Sequence, residues 1–186
     1  MFLEPHFWFK ISIIMELNFR PLTKTDFELF AHWLSLPHVN RWWREPATVE
    51  HVANDYGACT DGDFTTRVYV VQDGDKPVGI IQCFRLADYP DEDVLYPFRG
   101  AVSIDYFIGD KNYVGRGHGT KMIKMFIDTE VRDLYPDATG VATGAEVDNL
   151  ASLGALRKAG FEPGEIVIGE YGTPERVMLL RFSPAT

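Results

Sequence analysis

The stretch from Ala101 to Phe126 limits most strongly what this chain can fold into. Ala101-Val102-Ser103-Ile104-Asp105-Tyr106-Phe107-Ile108 has the β-branched and aromatic content of a strand. Val114-Gly115-Arg116-Gly117-His118-Gly119-Thr120 follows after a short loop, and then Met122, Ile123, Phe126 and Ile127 recur at helical spacing. Glycines between a strand and a helix let the backbone turn tightly and lie close to a ligand. The first amides of a helix have no partners within it, and its dipole puts partial positive charge at that end. Such a turn suits an anion, most naturally a phosphate. Arg116 and Lys121 add charge around it, and Asp105 lies on the strand leading in.

Spacing excludes two familiar phosphate loops. A dinucleotide fingerprint needs Gly-x-Gly-x-x-Gly, and here the third glycine falls one residue early. A nucleoside-triphosphate loop needs Lys followed by Ser or Thr, whereas Thr120 precedes Lys121. What remains resembles the coenzyme A loop of the GNAT acetyltransferases, (Gln/Arg)-x-x-Gly-x-(Gly/Ala): Gly117 and Gly119 fit, and Val114 stands at the first position. A strand-to-helix turn that binds nothing is the rival reading of so short a motif.

At 186 residues the chain is expected to be one domain with one substantial core. Its net charge of −9 argues against nucleic acid as a partner and allows a cationic small molecule. Cys59 and Cys83 are too few for a disulfide framework or a zinc site, so no metal and a cytoplasmic setting are expected. The apolar run Phe7-Trp8-Phe9-Lys10-Ile11-Ser12-Ile13-Ile14 is shorter than the about 20 residues that span a bilayer, and it makes a poor signal peptide. We read residues 1–14 as an extension and 15–186 as the domain, with no membrane partner.

Along the chain, 16–20 reads as a strand, and Thr23 or Thr25 caps a helix through about Leu36 that Pro37 stops. Val39 to Trp43 reads as a loop, and Thr48 caps a second helix to about Cys59. Strands are expected at 65–72 and 77–86 around Asp73-Gly74-Asp75, then a loop over 87–99 carrying Asp88, Asp91, Glu92 and Asp93. After the central strand and helix come a short strand at 140–143, a helix capped by Asn149 and stopped by Gly160, and a terminal hairpin of 166–169 and 176–182. That order predicts an α/β (α+β) fold, a mixed sheet of about seven strands with helices on both faces.

The element order resembles the GNAT fold over nearly all of 16–182. Asn149 with Leu156-Arg157-Lys158-Ala159-Gly160-Phe161 resembles the close of GNAT proteins. His38-Val39-Asn40-Arg41-Trp42-Trp43, Ser103-Ile104-Asp105 and the glycine loop are similar to aminoglycoside 6'-N-acetyltransferases and their siderophore-acylating relatives. The resemblance implies acetyl-CoA as acyl donor, an amine acceptor, and direct transfer in a ternary complex. It implies Asp105 as the base that frees the amine's lone pair, where neighbouring Ile104, Tyr106, Phe107 and Ile108 would push its pKa up by desolvation. The amide of Ile108 is the expected oxyanion donor, with Val114, Gly115, Arg116, Gly117, His118, Gly119, Thr120 and Asn149 around the coenzyme. Trp42, Trp43, Asp91, Asp93, Glu146 and Asp148 are expected to face the acceptor. The tyrosine thought to protonate the departing thiolate in many GNAT enzymes falls at Leu156. Acceptors of the siderophore lysine or hydroxylysine type, polyamines, and a non-catalytic sensor of coenzyme or amine are the alternatives. The expected state is a monomer or homodimer.

Overall fold

The computed structural model describes residues 16–62 and 65–183; the extension 1–14 lies outside them. Strands β1 (Leu17–Pro21), β2 (Thr66–Asp73), β3 (Lys76–Arg85), β4 (Ala101–Ile108), β5 (Gly140–Glu146), β6 (Glu162–Ile168) and β7 (Pro174–Arg181) form one sheet in the order β1-β2-β3-β4-β5-β7-β6. Only the β4–β5 pair is parallel; the other neighbours run antiparallel.

Side-chain alternation sends successive residues of the central strands to opposite faces. Val68, Val70, Ile80 and Phe107 pack on one face against α1 (Phe27–Leu34), α2 (Pro37–Trp43) and α3 (Val49–Thr60). Tyr69, Val71, Ile81, Cys83, Val102 and Ile104 pack on the other against α5 (His118–Phe126) and α7 (Leu150–Ala159). α4 (Pro90–Leu95) precedes β4, and α6 (Arg132–Leu134) closes the α5 unit after a π-helical turn at Ile127–Val131. Met122, Ile123, Phe126 and Ile127 are all buried, as their spacing predicts. Phe126 meets Phe19 and Tyr69 edge-on at 5.0 and 5.3 Å, which anchors the helix that carries the glycine loop.

Thr48 caps α3 by accepting from the His51 amide at 3.1 Å, and Asn149 caps α7 by accepting from the Ser152 amide at 3.2 Å. Gly160 ends α7 in the left-handed region at φ 105°. Two expectations need correction. Pro37 does not merely stop a helix: it is the first residue of α2, where its missing N–H costs nothing, so Trp42 and Trp43 are helical. The acidic segment 87–99 is not all loop, because Pro90 opens α4 in the same way. Among the described residues no helix is long and apolar enough to cross a membrane.

Candidate active site

The site begins where two parallel strands part. β4 and β5 pair only at Ala101↔Gly140, Val102↔Val141 and Ser103↔Ala142, although both strands continue past these residues. β5 stays paired with β7 along its whole length, so it leaves β4 from Thr143 onward. The Thr143 hydroxyl donates to the Ile104 carbonyl at 2.8 Å, a side chain standing where the next rung would be. Beyond it, the main-chain groups of β4 on that edge face a cleft.

Asp105 stands at this parting. Its Cα is paired with that of Gln82 on β3, and the Gln82 amide donates to its carboxylate at 3.0 Å. Burial pushes the Asp105 carboxyl up from the usual range; the Gln82 bond opposes this, and the charges of Glu45 and Glu170 add to it. A carboxylate held there is a stronger base than one in water.

Two cavities meet beside Asp105. The smaller, about 140 Å³, is lined by Asp105, Thr143, Gly144, Glu146, Tyr171 and Glu175 among others. The larger, about 750 Å³, runs from Ile108 past Val114, Gly115, Gly117, Gly119 and Thr120 to Lys158 on α7. Trp42, Trp43, Tyr106, Asn149 and Ser152 line both. At their junction the Tyr106 and Ser152 hydroxyls lie 2.8 Å apart.

The larger groove fits a coenzyme with a diphosphate. Gly115 and Gly117 hold φ of 73° and 84°, and a Cβ at either would meet nothing within 4 Å, so the loop faces open space. Gly117 is the N-cap of α5, which points that helix's first amides into the groove. Register with Gly79, together with the Gly109 amide bonding the Val78 carbonyl at 2.9 Å, turns the N–H and C=O of Ile108 away from β3 and toward the groove. His38 Nε2 lies 3.0 Å from that carbonyl. A carbonyl only accepts, so the imidazole carries its proton on Nε2.

The expected site residues divide. Asp105, Trp42, Trp43 and Glu146 come together in the smaller cavity, and Ile108, Val114, Gly115, Gly117, Gly119, Thr120 and Asn149 in the larger. Arg116 is exposed and outside the lining; the His118 ring lies against Tyr113 at 5.1 Å, where burial lowers its pKa. Asp91, Asp93 and Asp148 are exposed and line neither cavity. Their neighbour Glu92 is the residue of α4 that turns inward: burial, with the charges of Asp105, Glu170 and Glu175, pushes its carboxyl up to about 7. Trp43 meets Phe107 edge-on at 4.9 Å, so it staples helices and walls the site at once. Leu156 is fully buried in the core, without a polar atom to offer.

Sequence reading missed Glu45. It accepts from the Tyr56 hydroxyl at 2.7 Å and lies 3.1 Å from His51 Nε2, and burial raises its carboxyl despite both bonds. Only tertiary contact brings it near Asp105, and no motif marks it. At Gly144 on β5 the Tyr96 hydroxyl and the Glu175 carboxylate fill the space that a Cβ would take. Glu175 supplies, from β7, an acid on the neighbouring strand.

The chain is similar to known proteins in sequence and in fold. The family model described as an acetyltransferase (GNAT) domain matches residues 23–168. Aminoglycoside N(6')-acetyltransferase type 1 of Klebsiella pneumoniae is 25% identical over 163 residues, covering 82% of this chain and 79% of that protein. A crystal structure of aminoglycoside acetyltransferase AAC(6')-Ib in complex with coenzyme A and kanamycin superposes with a TM-score of 0.78 at 25% identity, covering 89% of this chain and 95% of that one. Spermidine N-acetyltransferase from Vibrio cholerae, solved with coenzyme A and spermine, shares the fold at a TM-score of 0.70 and 14% identity, covering 89% and 95%. The family match spans most of the chain, the groove suits the donor, and the protein therefore belongs to the acetyltransferase (GNAT) family, as an N-acetyltransferase that uses acetyl-CoA.

Proposed function

We propose that the protein acetylates a primary amine of a polycationic small molecule, with the 6'-amine of an aminoglycoside as the acceptor, by direct attack within a ternary complex. The observation that carries this reading is the position of Asp105 in the parting of β4 and β5, in the small cavity that opens onto the coenzyme groove. An ammonium entering the smaller cavity meets Asp105, Glu146 and Glu175; burial and then the charge of Glu170 raise the Asp105 carboxyl, and burial with the charges of Asp105 and Glu175 raises that of Glu92. Asp105 takes the proton that blocks the amine's lone pair. The Ile108 N–H, aimed into the groove, stabilises the negative charge that builds on a thioester oxygen. Bound acetyl-CoA supplies the activated acyl group. The glycine-loop amides hold the diphosphate, and enclosure between Trp42, Trp43 and α7 restricts the reactants' freedom. With Leu156 apolar, the Tyr106 and Ser152 hydroxyls are the O–H donors at the junction for the departing sulfur.

A second acceptor, a linear polyamine, is favoured by the narrowness of the smaller cavity and its several carboxylates. Thiol release from acetyl-CoA, followed with kanamycin, with an aminoglycoside bearing a hydroxyl in place of the 6'-amine, with spermidine and with lysine derivatives, tests both. We expect release with kanamycin and none with the hydroxyl analogue at that position. Release with spermidine alone would transfer the reading to polyamines. Binding of acetyl-CoA without release to any amine would make the protein a sensor.

A further inference from the structure

One cation stands behind the wall of the acidic cavity. Arg44, the residue after α2, sits at φ 55°, the left-handed region that L side chains rarely adopt, and it is the one non-glycine there among the described residues. Its main-chain N–H closes the helix on the Asn40 carbonyl at 3.1 Å, a position glycine fills at least as well. Its side chain therefore needs another explanation. The guanidinium is 2.6 Å from the Glu146 carboxylate at the end of β5, and 5.0 Å from the centre of the Tyr171 ring, near the tip of the β6–β7 hairpin. The Tyr171 hydroxyl donates back to the Trp43 carbonyl at 3.4 Å.

One residue thus joins three elements that surround the parting of the sheet. Glu146 and Tyr171 line the smaller cavity, while Arg44 stands behind them. The half-open cavity in front of them holds about 140 Å³, below the roughly 300–1,000 Å³ of pockets that enclose drug-sized ligands. That volume takes an aminoalkyl arm or a single small ring.

We propose that Arg44 is a specificity-determining clasp: by holding Glu146 and Tyr171 together it keeps the acceptor pocket small, and a multi-ring amine must break the clasp to enter whereas a slender one need not. The proposal rests on the smaller cavity being the acceptor site. Glu146, once released, becomes an additional carboxylate for the larger acceptor's ammonium groups. The clasp is partly exposed and combines one ion pair with one cation–ring contact, so its opening cost is modest.

The decisive variant is Arg44→Gly, which suits φ 55° and deletes only the side chain. Steady-state kinetics with kanamycin and with 1,4-diaminobutane, and calorimetric binding of both amines to the protein carrying coenzyme A, measure the same preference. We expect the affinity for kanamycin relative to diaminobutane to rise about tenfold, with thermal stability unchanged or higher. Arg44→Lys, which keeps the charge and loses the planar stack, should fall between. Tyr171→Ala, at the exposed hairpin tip, should move the ratio the same way. An unchanged ratio in Arg44→Gly overturns the clasp even if both amines are acetylated. Failure of the unaltered protein to bind either amine overturns the acceptor assignment and the clasp together.

Discussion

The two cavities that meet beside Asp105 are built on different principles. The larger groove has one end built from main chain: glycines at φ 73° and 84°, the first amides of α5, and the outward edge of β4. The smaller cavity is mostly side chain, drawn from α2, β4, β5, α7 and the β6–β7 hairpin. Main-chain sites depend on local conformation, so one contiguous segment can specify them. Side-chain sites depend on where distant elements end up, and each contributing residue can vary.

That contrast can be broken by experiment. Asp105→Asn should lower kcat/KM for amine acetylation by about 10²–10⁴-fold, with acetyl-CoA affinity nearly unchanged; comparable losses in both would mean that the cavities are not separable. Gly117→Val should do the reverse. Forcing a β-branched residue to φ 84° costs about 1–2 kcal/mol, which weakens coenzyme binding about tenfold in calorimetry while amine binding persists. Gln82→Leu removes the hydrogen bond that favours the charged form of Asp105. The Asp105 pKa then rises further, and the acid limb of the kcat/KM profile moves to higher pH; an unmoved limb would show that Gln82 does not tune the base. Glu92→Gln should have the smallest effect. With its carboxyl near 7, Glu92 is mostly neutral at pH 6 and resembles glutamine. Above pH 7 it is charged, so the variant's KM for polycations should rise about twofold to fivefold only as pH increases through that value.

The same contrast explains what could be read in advance. The strand Ala101–Ile108 is found where its composition predicts it, and α5 buries the face its periodicity names. Asn149 and Gly160 cap α7 as expected. A loop reading of 87–99 does not distinguish among its acids; on the short helix opened by Pro90, adjacent residues point about 100° apart, and Glu92 is the acid turned inward. The sequence leaves Trp42 and Trp43 in a loop and the structure puts them in α2, since Pro37 can end a helix or begin one and only packing decides which.

From sequence alone came the strand–glycine–helix unit, with a glycine turn that faces a groove and a carboxylate on the strand leading in, because conformation and periodicity are properties of neighbouring residues. The tertiary structure decided which acids join Asp105. Glu45, Glu92 and Glu175 reach it from three separate elements, and the parting of β4 from β5 creates the space they surround. Such convergence reflects long-range packing, in which residues far apart in the chain become neighbours through the sheet order, and no local pattern records it.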